Sequence, residues 1–465
     1  MTKLFCMLIV AMVTPLLSGC PGSKGSTAAP PLNFTATGGD GRVMLTWTPN
    51  PSVEYWVFTA TDPSLTAFNW TGLQNPHAYA SVATPFYMCG LFNGTLSSGI
   101  FNPLPYYFAA NGRTNDGPGG PSSPTITATP YNAASEAWAT SSTPSSSPDL
   151  FGVGYASLTT CSNSTTSAAG SFAAVGKGGV IFTSADGKAW TPVTSPLPED
   201  LYAVTGYAAN LNNPTTPALS WLAVGAGGAS VYSTDGITWY VGTAYNSLNP
   251  TLHSLTQVAG TFYAVGDRGT ILYGTVPTIP SSGIPWPNII ITSVTTNNLL
   301  GVTHGNIYVA VGDKGTIITS TDGHNWNLQT PTPATTNTLR QVTSAGSIFV
   351  AVGDAGTIAT SIDGGIIWTT QQIQSGTPNL VGVAAETQLV ANALPDSNLL
   401  NNAVPTSQFV AVDSSGNAYT SVDGITWSTT PIITGLSLSN LGQPMVSSGF
   451  GYVTVGNAGT TAYAF

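Results

Sequence analysis

The sequence predicts an all-β protein, and three observations carry that reading. Charged residues make up only 6% of the 465-residue chain and apolar residues 42%, so Gly, Ser, Thr, Asn and Pro fill the polar positions. Disorder needs the opposite balance. Apolar and polar residues alternate with period two between Gly-, Pro-, Asn- and Asp-rich breaks, as in half-buried antiparallel strands. A unit typified by YVAVGDKGTIITSTDGHNW, residues 308–326, returns in degraded copies over the last two thirds of the chain. The length accommodates two or three domains.

Charge narrows the partners. Nine Lys and Arg stand against 19 Asp and Glu, for a net −10. No basic patch exists to neutralise phosphates, so a nucleic-acid partner is excluded, and anionic lipid headgroups are disfavoured for the same reason.

Residues 1–19 read as a signal peptide. Lys3 gives a short basic start, and residues 4–16 form an apolar stretch too short to span a bilayer. It ends in Leu17-Ser18-Gly19-Cys20, which resembles the bacterial lipobox. The resemblance implies cleavage before Cys20 and diacylglycerol on its thiol, hence a chain lipid-anchored in the bacterial cell envelope. Pro21 stands where inner-membrane lipoproteins carry Asp, which implies the outer membrane. Residues 20–29 then form a lipidated, flexible tether. Cys89 and Cys161 are the cysteines left over. In an oxidising compartment they could pair, joining two domains; two separate thiols are the alternative.

Residues 30–131 alternate as antiparallel strands: Leu32, Phe34 and Ala36, then Val43, Leu45 and Trp47, then Tyr55 and Val57. Tyr106-Tyr107-Phe108-Ala109-Ala110 leads to a turn at Asn115-Asp116-Gly117. The Trp on the second strand, the Tyr-x-Phe-x-Ala strand and the Gly-rich hairpin before Ser122 resemble a fibronectin type III domain. That implies a β-sandwich acting as spacer or binding module.

Residues 132–465 repeat one hairpin seven times, with cores at Val175-Gly176, Val224-Gly225, Val265-Gly266, Val311-Gly312, Val352-Gly353, Val412-Asp413 and Val455-Gly456. In five copies a second turn of the form S-x-D-G follows and leads to a Trp, carrying Asp186, Asp235, Asp322, Asp363 and Asp423; the pattern is S-x-D-G-x-x-W, with one more residue before Trp368. Repeats of roughly 40–60 residues with four short strands are blades of a β-propeller. The seventh copy stops at Phe465 without its Trp strand, and Trp138 with Ala139-Thr140-Ser141 looks like the missing piece. The expectation is a seven-bladed propeller closed by an N-terminal strand near Trp138. From Trp138 to Trp427, seven of the eleven Trp residues fall one per blade. The second turn resembles the Asp-box of sialidase-type propellers, and the whole unit is similar to the propeller of photosystem II assembly and stability factors. The Asp can accept N–H groups of its own turn and the Trp can pack between sheets, so these five Asp residues are expected to be structural.

Chemistry finds few candidates. A sialidase needs an Arg triad, and residues 132–465 hold only Arg268 and Arg340. Asp267, Asp313 and Asp354 sit one per blade in G-D-x-G turns, a spacing that suits solvated turn residues better than a cation site. His253, His304 and His324 lack metal-ligand spacing. No phosphate or dinucleotide fingerprint is present, so neither metal nor cofactor is expected. Function is expected where blades depart from the unit. The long loops are residues 157–170, 208–220 and 386–407. In blade three, residues 275–285 replace the Asp-box. The blade-six insert (Glu386, Leu389, Leu394, Asp396, Leu399, Leu400) is the candidate binding loop, with a cap on the propeller as its alternative. The expected function is therefore a non-catalytic envelope lipoprotein binding a protein or glycan. The alternatives are an assembly factor for a membrane complex and a polysaccharide-acting hydrolase or lyase.

Overall fold

The computed structural model describes residues 25–39, 42–89, 91, 94–97, 100–130, 138–143, 148–156, 171–209, 218–242, 249–275, 288–291, 294–373, 379–392, 403–429, 436–439, 441–448 and 451–464. The protein is all-β: among these residues the helical pieces are single 3-10 turns of three residues. By contacts the chain divides into two units, one of residues 1–131 with 161–167 and 389–404, the other of the remaining residues.

The first unit has two main antiparallel sheets. One runs Ser26–Ala28, Tyr106–Thr114, Glu54–Ala60, His77–Val82, with Ile126–Ala128 also on Tyr106–Thr114. The other joins Leu32–Gly39, Arg42–Thr48 and Phe86–Cys89. Strand Arg42–Thr48 buries every second residue, Val43, Leu45 and Trp47. Trp47 packs edge-on between Phe34 (6.1 Å) and Tyr55 (5.9 Å), and Phe86 and Phe108 complete the core. One expectation is corrected here. Ser26–Ala28 is not part of a flexible tether but an edge strand on Gly112–Thr114. The Ser26 N–H donates to Thr114 Oγ1 at 3.1 Å. Its Ser-Thr-Ala composition suits a linker and a strand equally, and the free edge decides.

Among the described residues the second unit holds seven sheets that carry strands of the repeated unit. Sheet four is representative: Leu299–His304, Tyr308–Gly312, Ile317–Ser320 and Asn327–Gln329, each antiparallel to the next. Sheet seven takes Met445–Ser447, Tyr452–Val455 and Thr460–Ala464 from the C-terminal end and Ala139–Ser142 from residues more than 300 positions earlier. The seven sheets do not share one core. Seven hydrophobic clusters occur among the described residues of this unit, each lying between neighbouring sheets. One of them joins Leu150, Val153 and Phe172 of sheet one to Val453 and Val455 of sheet seven. Sheets stacked side by side through their faces are the arrangement of a β-propeller.

Two sequence regularities hold the stack. An aromatic residue stands four positions before the hairpin Gly in every copy: Phe172, Trp221, Phe262, Tyr308, Phe349, Phe409 (before Asp413) and Tyr452, all buried. The first strand of sheets one to six opens with a fully buried Leu: Leu150, Leu201, Leu252, Leu299, Leu339 and Leu380. Each such burial stabilises the fold by about 2 kcal/mol.

The expected loop 386–407 is also corrected. Strands Leu380–Asn392 and Ala403–Asp413 extend through most of it. β-Branched and alternating residues such as Thr387, Val390 and Val404 continue the strand pattern beyond the repeat. Ala391 and Asn392, which group with the first unit, pair in parallel there with Thr95 and Leu96.

Candidate functional site

In a four-stranded antiparallel sheet, turns from second to third strand share one edge with the crossings between sheets. First-to-second turns and the S-x-D-G turns share the other. The five S-x-D-G turns share the part played by the Asp carboxylate, and those of sheets four, five and six add a bond from the Trp indole. Asp322 Oδ1 accepts the N–H groups of His324 (2.8 Å) and Asn325 (2.7 Å), the Gly323 N–H donates to Ser320 Oγ (2.9 Å), and Trp326 Nε1 donates back to Gly323 O (3.2 Å). Asp186, Asp235 and Asp423 repeat the carboxylate's part. Asp363 does so around a turn one residue longer. All five carboxyls are held below their ordinary range. In Asp186, Asp235 and Asp423 burial pushes upward and is outweighed by the backbone N–H groups. In Asp322 and Asp363 those N–H groups dominate.

The crossing edge carries the more varied chemistry. Each hairpin Gly is followed by a 3-10 turn whose middle residue is left-handed, as in Arg268 (φ 57°), Lys314 (φ 56°) and Ala355 (φ 53°). The N–H of that residue is clasped by the side chain before the opening Leu of the next sheet. Asp200 Oδ1 accepts from Gly178 (2.7 Å), Asn298 Oδ1 from Arg268 (3.0 Å) and Asn379 Oδ1 from Ala355 (3.1 Å). Asp149 Oδ1 of sheet one accepts from Ala458 of sheet seven at 2.9 Å.

Just inside these clasps, the residue after the opening Leu differs from sheet to sheet. It is Phe151, Tyr202, His253, Leu300, Arg340 and Val381 in sheets one to six. Phe151 and Tyr202 lie 5.6 Å apart, and Tyr202 stacks on His253 at 6.0 Å and 21°. His253 Nε2 is 2.9 Å from Asp267 Oδ1, and Arg340 Nε donates to Asp354 Oδ1 at 2.6 Å. The Tyr202 hydroxyl is held above its ordinary value, first by burial and then by the Asp200 and Asp267 charges. Asp267 and Asp354 are thus partnered within their own sheets rather than simply solvated, and Asp313 receives a long bond from Thr338 Oγ1 (3.4 Å). The missed signal was the position after the repeated Leu, where the framework leaves residue type free.

Two glutamines, Gln341 through its side chain and Gln443 through its backbone and side chain, tie the first strands together. Gln341 Nε2 donates to Met445 O (3.2 Å) and its Oε1 accepts from Val383 N–H (2.9 Å), linking sheets five, six and seven. The Gln443 N–H donates to Tyr202 O (3.1 Å), Gln443 O accepts from Val153 N–H (3.0 Å), and Gln443 Oε1 accepts from Leu255 N–H (3.5 Å), reaching sheets one, two and three. Two grooves lie at the outer part of the crossing edge. One of about 420 Å³ is lined by Gly178, Gly179, Val193 and Leu197. Another of about 510 Å³ occupies the same place in sheet four beside Lys314, Thr316, Leu328 and Thr335.

The other expected site residues fare differently. Glu386 is not on a loop: it lies in strand Leu380–Asn392, buried, with Oε1 accepting from Ser447 Oγ (2.6 Å) and Gly451 N–H (2.8 Å). Leu389 lies in the same strand. Leu394, Asp396, Leu399, Leu400, Cys20 and Cys161 lie outside the described residues, as does the Cys89 side chain. Among the described residues no group of three or more His, Cys, Asp or Glu could hold a metal ion.

No family model and no curated protein matches the sequence. Solved structures similar to the chain include YCF48 bound to D1 peptide (16% identity, 72% of this chain and 95% of that one, TM-score 0.48). YCF48 from Cyanidioschyzon merolae gives 15% identity over 71% and 98%, TM-score 0.47. The WD40 beta propeller domain of Doa1 gives 11% over 70% and 94%, TM-score 0.44. At TM-scores below 0.5 these likenesses decide nothing about activity or partners.

Proposed function

We propose that this chain is a non-catalytic lipoprotein of the bacterial cell envelope, anchored through Cys20, whose propeller binds a protein or glycan. In this reading residues 30–131 form a fibronectin type III-like module. Residues 132–465 form a seven-bladed propeller closed by the strand near Trp138, and its crossing edge presents the variable ring that includes Tyr202, His253 and Arg340. The observation that carries the binder reading is the occupation of the carboxylates. The five S-x-D-G aspartates accept backbone N–H groups of their own turns, and Asp149 and Asp200 clasp neighbouring sheets. Asp413 is fully buried and accepts from Ser415, Asn417 and Tyr419. Glycoside hydrolysis needs two carboxyl groups facing across the sugar, and these serve the framework instead.

Polysaccharide turnover assays beside glycan-array and envelope-protein binding test this reading. No turnover is expected, and Tyr202→Ala or Arg340→Ala should weaken saturable binding by on the order of tenfold. Turnover that Asp267→Asn or Asp354→Asn abolishes would make the protein a hydrolase or lyase.

A further inference from the structure

The S-x-D-G turn needs its Ser, Asp, Gly and Trp, and leaves the residue after Ser and the two before Trp free. In sheet one these are Ala185, Lys188 and Ala189, and in sheet four Thr321, His324 and Asn325. In sheet five all three are aliphatic and in sheet six two of the three are, Thr426 being the exception, and these aliphatic side chains face solvent. Ile362, Ile366 and Ile367 are 59%, 72% and 66% exposed, and Val422 and Ile425 are 62% and 47% exposed. The sheet-six turn is held against the outer strands of sheet five, since Gln371 Nε2 donates to Ile425 O and Thr360 Oγ1, one residue before the sheet-five turn, donates to Gly424 O, both at 2.6 Å. The extra residue in sheet five, Gly364-Gly365, leaves Ile366 and Ile367 adjacent on the outside of the turn. Five branched aliphatic side chains on neighbouring turns have no framework task, and an exposed apolar patch of this kind marks a contact surface.

Charge selects the occupant. The patch holds the ionised carboxylates Asp363 and Asp423, and the chain carries −10. Both a second copy and an anionic headgroup layer would therefore be repelled. An uncharged or zwitterionic lipid surface would not. The acyl-anchor reading also supplies such a surface to the chain. On the acyl-anchor reading only residues 21–24 separate the lipid on Cys20 from the described chain, roughly 15 Å when extended. That tethering gives lipid a high local concentration, so a weak apolar contact suffices.

We propose that the paired turns of sheets five and six rest their Ile and Val side chains on a zwitterionic lipid surface, a second contact beside the acyl chain. The proposal rests on the envelope-lipoprotein reading. The test is flotation of the mature chain from residue 20, carrying Cys20→Ser, with phosphatidylcholine vesicles. The floated fraction should fall by on the order of tenfold in Ile366→Asn/Ile367→Asn and in Ile425→Asn. It should fall also when phosphatidylglycerol is added, and stay unchanged in Ile237→Asn, an exposed single Ile on sheet two. These positions are exposed, so circular dichroism of the variants should match the parent. Flotation that is absent, or insensitive to these substitutions, overturns the proposal, as does a loss confined to self-association in sedimentation. Fatty-acid labelling of the unsubstituted protein in bacteria reports on the anchor separately. Label at Cys20 with no vesicle contact removes the patch alone, whereas absence of label removes the anchor and with it the reason for a bilayer.

Discussion

Asp322 accepts two backbone N–H groups, the Ser320 hydroxyl and the Asn325 side-chain amide, all within its own turn. The construction recurs at Asp186, Asp235, Asp363 and Asp423, and it makes the turns acid-sensitive. Each carboxyl is depressed in the folded state, below an unfolded value of about 3.9. The stability they contribute is fully present above that unfolded value and is lost as pH falls through the depressed ones. Thermal melting should therefore be insensitive to these groups from neutrality to about pH 4 and decline below it. The acid decline should be smaller in Asp322→Asn, which keeps an acceptor without the charge; an unchanged slope would locate acid sensitivity elsewhere. This role was legible in the sequence because the turn is local: Ser, Asp, Gly and Trp lie within seven residues. Glu386 was not legible, because its partners Ser447 and Gly451 are some 60 positions away.

Each sheet's first strand opens with a clasping residue and a buried Leu, and its second ends in Gly pressed against that opening. A Cβ on Gly312 would lie 1.9 Å from Asn298 O, backbone that cannot step aside. Gly312→Ala is expected to cost more than about 2 kcal/mol, read as a lowered denaturation midpoint. A near-neutral result would mean that strand opening and hairpin turn can separate. The repeated hairpin was legible from Val-Gly spacing, and the strands from period-two alternation. The clasp was not, since Asp149, Asp200, Asn298 and Asn379 differ in type and each reaches into the preceding sheet. The extension of the sheet-six strands was not legible, because residues 386–407 depart from the repeat and no neighbouring copy gives their pattern.

The second unit stands on cores between sheets, so its integrity depends on the stack being continuous. The Asp149–Ala458 bond, the cluster between sheets one and seven, and the pairing of Ala139–Ser142 with Thr460–Ala464 all join early residues to late ones. Without Ala139–Ser142 the last strand would present an unpaired edge. Replacing residues 138–142 by Gly and Ser of equal length should lower the melting temperature and open the chain near residue 460 to proteolysis. Unchanged cleavage would show that the ends are held by the other two contacts alone.

The sequence by itself determined the all-β class, the repeat, the S-x-D-G turns and the strand displaced to residue 138. Those features are local or periodic, and backbone sterics and hydrophobic alternation express them within a few residues. Only the tertiary structure decided which free positions meet. Phe151, Tyr202 and His253 come from three successive sheets, Gln341 and Gln443 link first strands of distant repeats, and Gln371 of sheet five bonds Ile425 in the turn of sheet six. Their proximity follows from how sheets stack through their buried faces, which no local pattern encodes.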